Sequence, residues 1–186
     1  RVYSEKNTEL WSLYHHNRIS KETLIVERFR YPLQRVGAYN DKLVLQLNAD
    51  YLSVLSEQGE LVPQARELLD YLKSRSYRLH IISNGFKEVQ FKKMKSAGIE
   101  NYFEKIILSD EVGVNKPHPD IFRYALNKTG SSKNTSLMIG DNYDADILGA
   151  MRSGLDQVYF NPLQKQIPDE FPTYEVQTLS EIQDIL

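Results

Sequence analysis

The chain has 186 residues, 23 Lys and Arg against 25 Asp and Glu, a formal charge of −2, and no cysteine. Near-neutrality argues against a standing nucleic-acid or anionic-membrane surface. The lack of thiols excludes a disulfide scaffold, a thiolate zinc site and cysteine nucleophilic catalysis, and is compatible with a cytoplasmic protein. The length suggests one domain plus an appendage, or two small ones. No apolar run approaches the roughly 18 residues that span a bilayer.

Residues 1 to about 60 read as helices with almost no strand signal. The first covers Ser4 to Tyr14, the second Ser20 to about Arg35, the third about Asn40 to Glu57. Ser20 ahead of Leu24, Ile25, Phe29 and Leu33 is the pattern of a capped amphipathic helix. Near Gln58 to Val62 the pattern changes, and this is the one expected domain boundary. A helix opens at Val62-Pro63 and carries Ala65, Leu68, Leu69 and Leu72 on one face. Strands follow at Arg78–Ile82, Lys105–Leu108, Ser136–Ile139 and Gln157–Phe160. Between them lie helices at Phe86 to Ala97, Pro117 to Lys128 and Ala145 to Arg152, and a last helix covers Ser180 to Leu186. Such alternation predicts an α/β fold, a parallel sheet covered by helices, with right-handed connections. The expected division is a helical unit at 1–60 and an α/β core at 61–186.

Ligands of open parallel sheets bind at the carboxyl ends of the strands. The first strand is followed by Ser83-Asn84-Gly85, the second by Ser109 and, further on, Lys116-Pro117-His118-Pro119. The third is followed by Gly140-Asp141 and, on the next helix, Asp146. A hydroxyl, an ammonium and carboxylates thus converge on one edge. Ser83 and adjacent N–H groups can hold phosphate oxygens, and Lys116 can neutralise a developing oxyanion. Asp141 and Asp146 can hold Mg²⁺, which takes one or two carboxylates, waters and a substrate phosphate. Each piece also has a plain reading: Ser-Asn-Gly as a turn, the lysine as a solvated loop charge, and the acids as complements of a helix dipole.

These residues carry a resemblance. Ile81-Ile82-Ser83-Asn84-Gly85, then Lys116-Pro117-His118-Pro119-Asp120-Ile121-Phe122, then Gly140-Asp141 with Asp146-Ile147-Leu148-Gly149-Ala150 resemble motifs II, III and IV of the haloacid dehalogenase (HAD) superfamily, in order and spacing. The resemblance covers about residues 61 to 186. It is to the subfamily I hydrolases, and the ending is most similar to the YjjG/YfnB-type 5′-nucleotidase branch. It implies a Rossmann-like core with a helical cap, and a Mg²⁺-dependent phosphomonoester hydrolase acting through an aspartyl-phosphate intermediate. The implied substrate is a small phosphate ester, a nucleoside monophosphate or sugar phosphate, with no nucleic-acid or membrane partner. By position, Ser83 binds phosphate, Lys116 stabilises nucleophile and phosphate, Asp141 is a metal ligand and Asp146 supports the metal. Asn84 and Gly85 join the phosphate cradle or the substrate entrance.

Motif I, D-x-D-x-T/V, supplies the family's nucleophile and is absent here; Asp41 and Asp50 lack its spacing. Since it follows the central strand, the expectation is a sheet split in the middle, a natural protein extending beyond Arg1, and no turnover by the chain as written.

Other conspicuous residues have bland readings. His15 and His16 lie about 100° apart on a helix and are poorly placed to share a metal. His80 reads as a sheet histidine, and Lys87, Lys92, Lys93 and Lys95 as a solvated helix face. Trp11 and the leader's tyrosines read mainly as packing, although an aromatic in a cap can stack on a base. Phe86 is a candidate for the substrate entrance and His118 sits at most at the rim. Three alternatives to a phosphatase stay open. One is a metal-independent 2-haloacid dehalogenase, which shares the Ser-Asn-Gly and the lysine. The others are a phosphomutase and a non-catalytic phosphate-binding or signalling domain.

Overall fold

A computed structural model describes residues 1–168 and 170–186. The leader is three helices: α1 (Val2–His15), α2 (Lys21–Arg35) and α3 (Asp41–Glu57). Each of the last two has the cap its sequence offers. Ser20 Oγ accepts from the Thr23 N–H (3.2 Å) and Asn40 Oδ1 from the Leu43 N–H (3.2 Å), meeting donors a helix start leaves orphaned. Leu10, Tyr14 and Leu24 are buried together with Phe86 and Val89. The last two come from the α/β part, so the leader's core continues into it. Ser96 adds a tie, donating from Oγ to the Glu57 carbonyl (2.8 Å).

Inside the leader Arg28 is only 1 % exposed. Among the described residues no carboxylate pairs with it; it donates to Asn48 Oδ1 and lies against the Phe29 and Tyr51 rings. Burial pushes the neighbouring Tyr3 phenol up to about 12, so it stays neutral and gives no counter-charge. Desolvation is correspondingly what lowers the Arg28 pKa.

The remaining elements alternate: α4 (Ala65–Ser74), β1 (Leu79–Ser83), α5 (Lys87–Ala97), β2 (Phe103–Leu108), α6 (Ser109–Val112), α7 (Pro119–Thr129), β3 (Leu137–Gly140), α8 (Gly149–Arg152), β4 (Asp156–Phe160), β5 (Tyr174–Val176) and α9 (Ile182–Ile185). A wide π-type turn, Tyr143–Leu148, feeds α8. All strand pairs are parallel. They form two pieces, β1-β2 and β3-β4-β5. Ile107, Ile121, Phe122, Ala125, Ala150 and Leu155 make one core and Leu68, Leu72, Val158, Val176 and Ile182 another. Between β1 and β3 lies a cavity of about 940 Å³, lined by residues of both strands and by Leu68, Leu72 and Phe122. No helix among the described residues is long and apolar enough to cross a membrane.

Several boundaries differ from expectation. The helix expected from Val62-Pro63 starts at Ala65, because Gln64 takes a left-handed conformation (φ 67°). The helix expected from Pro117 starts at Pro119, where His118 Nδ1 accepts from the Asp120 N–H (3.2 Å) and serves as its cap. Ser109–Val112, for which the sequence predicts no element, is one helical turn. The three-residue strand β5 was not expected: it buries only Val176 and leaves no periodic signal.

His80 on β1 has both ring nitrogens buried without a hydrogen-bond partner, and burial pushes its pKa down, with Glu104 opposing. A folded-state value below the ordinary one, near 6.5, means the unfolded chain binds the proton first. Stability is therefore fullest above that ordinary value. It is lost as pH falls through it toward the folded value. Urea midpoints are expected to drop between pH 7.5 and 5.5, and His80→Val to flatten that drop.

Candidate active site

The site is built at the ends of β1 and β3. β1 runs into a turn in which Ser83 Oγ accepts from the Gly85 N–H (3.0 Å). Asn84, next in line, is buried. Its Nδ2 donates to the Lys116 carbonyl (2.8 Å) and its Oδ1 accepts from the Lys116 N–H (2.8 Å). Asn84 thus holds the lysine backbone through its oxygen and one N–H of its amide.

The Lys116 side chain is equally constrained. Its ammonium donates to the Ile82 carbonyl (2.8 Å) and to Asp146 Oδ1 (2.5 Å), with Lys116 8 % and Asp146 5 % exposed. The other Asp146 oxygen, Oδ2, accepts from the Asn142 N–H (3.1 Å). Asn142 caps the π-type turn through Oδ1, which accepts from the Ala145 N–H (2.9 Å). The wide turn is what rotates Asp146 inward onto the lysine. Asp141, at the end of β3, is exposed. Ser83, Lys116, Asp141 and Asp146 all line the cavity between β1 and β3.

Gly140 lets this happen. A Cβ placed there would lie 2.4 Å from Asp146 Cβ and Oδ2, a separation that forces the carboxylate away. Gly140→Ala is expected to lower stability by about 1–3 kcal/mol, as overpacking does, read from urea unfolding of this chain.

Gly85 faces the Gln90 side chain. His118 is half-exposed and lies 3.9 Å from the Asp120 carboxylate, as a helix cap away from the cavity lining. Lys87, Lys92 and Lys95 face solvent. Among the described residues no three His, Asp or Glu side chains gather as a metal cluster. Of the cavity's aspartates, Asp156 begins β4 at the far end, Asp141 is exposed, and Asp146 is committed at both oxygens.

Two residues belong to the surroundings of the site: Asn115, which sequence reasoning missed, and His15, which it set aside. Asn115 Nδ2 donates to the Tyr14 carbonyl (2.6 Å) and to Asn17 Oδ1 (3.2 Å). The end of α1 is thereby pinned beside Lys116. His15, adjacent to Tyr14, is half-buried. Burial lowers its pKa, the Lys116 charge lowers it further and Asp146 opposes. Nothing in a helical repeat marks His15. Its signal is position, in the last turn before the chain doubles back.

The parallel α/β core thus brings a serine turn, a buried lysine–aspartate pair and a second aspartate to the ends of β1 and β3, where ligands of such sheets bind. The comparisons supply the family. A family model described as haloacid dehalogenase-like hydrolase matches residues 18–160, and the chain belongs to that family. It is 31% identical over 186 residues to the pyrimidine 5′-nucleotidase YjjG of Escherichia coli, covering 99% of this chain and 80% of that protein. Against the pyrimidine 5′-nucleotidase PynA of Streptococcus pneumoniae it is 31% identical over 187 residues, covering 99% and 78%. Its fold matches the crystal structure of the HAD-hydrolase YfnB from Bacillus subtilis, solved with magnesium bound, with a TM-score of 0.90 and 30% identity over 98% of this chain and 79% of that one. The fold is therefore the HAD core with a helical cap, as the motifs implied.

Proposed function

We propose that the chain is the larger part of a Mg²⁺-dependent phosphomonoester hydrolase of the 5′-nucleotidase kind, acting in the cytoplasm on small phosphate esters. The observation that carries this reading is the convergence of Ser83, Lys116, Asp141 and Asp146 on one cavity between two sheet halves. Residues 1–60 act as the cap and 61–186 as the core. The gap between β1 and β3 is the seat of one further strand, which brings the nucleophilic aspartate. Its carboxylate attacks phosphorus, the ester oxygen leaves, and water then hydrolyses the aspartyl phosphate.

Ser83 Oγ and the turn's N–H groups hold phosphate oxygens. Lys116 screens the phosphate from the incoming carboxylate, and its two acceptors fix where that charge sits. The donor set fits a hard divalent cation held sparsely: Asp141 is free to ligate, and Asp146, taken by Lys116 and Asn142, supports from behind. When bound, Mg²⁺ supplies charge neutralisation for the phosphoryl group.

The test is a phosphatase screen of the chain extended by its upstream segment against nucleotides and sugar phosphates, with and without EDTA. Phosphate release abolished by EDTA is expected. Dehalogenation of a 2-haloacid insensitive to EDTA would replace this reading.

A further inference from the structure

We propose that Trp11 and His15, backed by Phe86, form a wall that takes the planar base of a nucleoside phosphate, making His15 a specificity-determining residue. This rests on the phosphatase reading and adds to it the part of the substrate that is not phosphate.

Trp11 and His15 are one helical turn apart, so they share a face of α1. Their ring centroids are 5.5 Å apart. The indole stacks on Phe86 at 5.6 Å and 27°. Phe86 stands three residues after Ser83, at the end of the same turn that faces the phosphate position. Phe86 is fully packed, with the Lys21 ammonium 4.6 Å from its ring centroid and that ammonium paired to Asp110 at 2.9 Å. It is therefore a rigid backing. Trp11 and His15 are only half-buried and keep surface to offer.

The orientation follows from Asn115. Its two bonds to the end of α1 hold His15 beside the residue that precedes Lys116. The end of α1 thus stands next to the segment that carries the site's ammonium. Burial and the Lys116 charge keep the imidazole neutral at pH 7. A neutral ring is a poor ligand for a dianion, but it donates and accepts toward a base edge or a sugar hydroxyl. Aromatic walls next to such a group are where planar bases stack.

Trp11 is the chain's single tryptophan, so its emission reports on this wall without turnover. In the 186-residue chain, uridine is expected to change Trp11 emission saturably, and ribose to leave it unchanged. His15→Ala should weaken the uridine response about fivefold or more, the scale of a lost hydrogen bond with part of a stack. His15→Gln, which keeps donor and acceptor, should stay within about twofold of the parent. No response to uridine, an equal response to ribose, or an unaltered His15→Ala titration would each overturn the proposal. The upstream-extended chain separates the two readings. Equal kcat/KM for uridine 5′-phosphate and ribose 5-phosphate removes the wall and keeps the phosphatase. No phosphate release from either, with the uridine titration intact, removes the phosphatase and keeps the wall.

Discussion

Lys116→Ala is expected to lower turnover of the upstream-extended chain by about 10²–10³-fold, the loss seen when one group that stabilises transition-state charge is removed. The structure gives two reasons to expect the full effect. The ammonium is held between the Ile82 carbonyl and Asp146 Oδ1, so its charge stands in one fixed place. It is also buried, where a charge acts through less water. The same substitution strands Asp146, and removing one partner of a buried pair costs about 3–5 kcal/mol. Activity and stability are separable through the pair. Lys116→Ala with Asp146→Ala should regain much of the urea stability and none of the turnover, a non-additivity that a double-mutant cycle reads directly. A single variant with unchanged kcat would take Lys116 out of the chemistry.

Asn84→Ala is expected to do comparable damage without touching a charge. Its amide satisfies both backbone groups of Lys116. Its removal leaves a buried N–H and a buried C=O unpaired, at about 1–3 kcal/mol each. The lysine backbone is then free to shift, and misplacement by about 1 Å costs on the order of 10²-fold. Asn84→Asp should fall close to alanine, because a carboxylate still accepts from the Lys116 N–H but repels the Lys116 carbonyl. Urea unfolding and kcat, measured together, check both. A stable Asn84→Ala with a raised KM alone would mean that Asn84 touches substrate and has no part in holding the lysine.

The order and kind of elements were legible because local rules carried them. Ser20 and Asn40 cap where they stand, and Gly98 and Gly130 stop α5 and α7 in left-handed conformations (φ 64° at both). The residues at the strand ends were legible too, since topology sends them to one edge. Other features needed three dimensions. Asn84 reads as a turn former, and its grip on Lys116 spans 32 positions. The π-type turn that swings Asp146 inward has no periodic signature. His15 looked idle because the sequence shows its helix but not what that helix leans on. The short β5 is set by pairing with β4, a tertiary contact.

Of the ties between the three helices and the α/β part, one reaches the site directly. Asn115 grips the end of the first helix while its backbone neighbour carries the site's ammonium. A displacement of the three helices would either break that grip or drag the lysine's segment along. The placement of the charge is therefore tied to the seating of the helices.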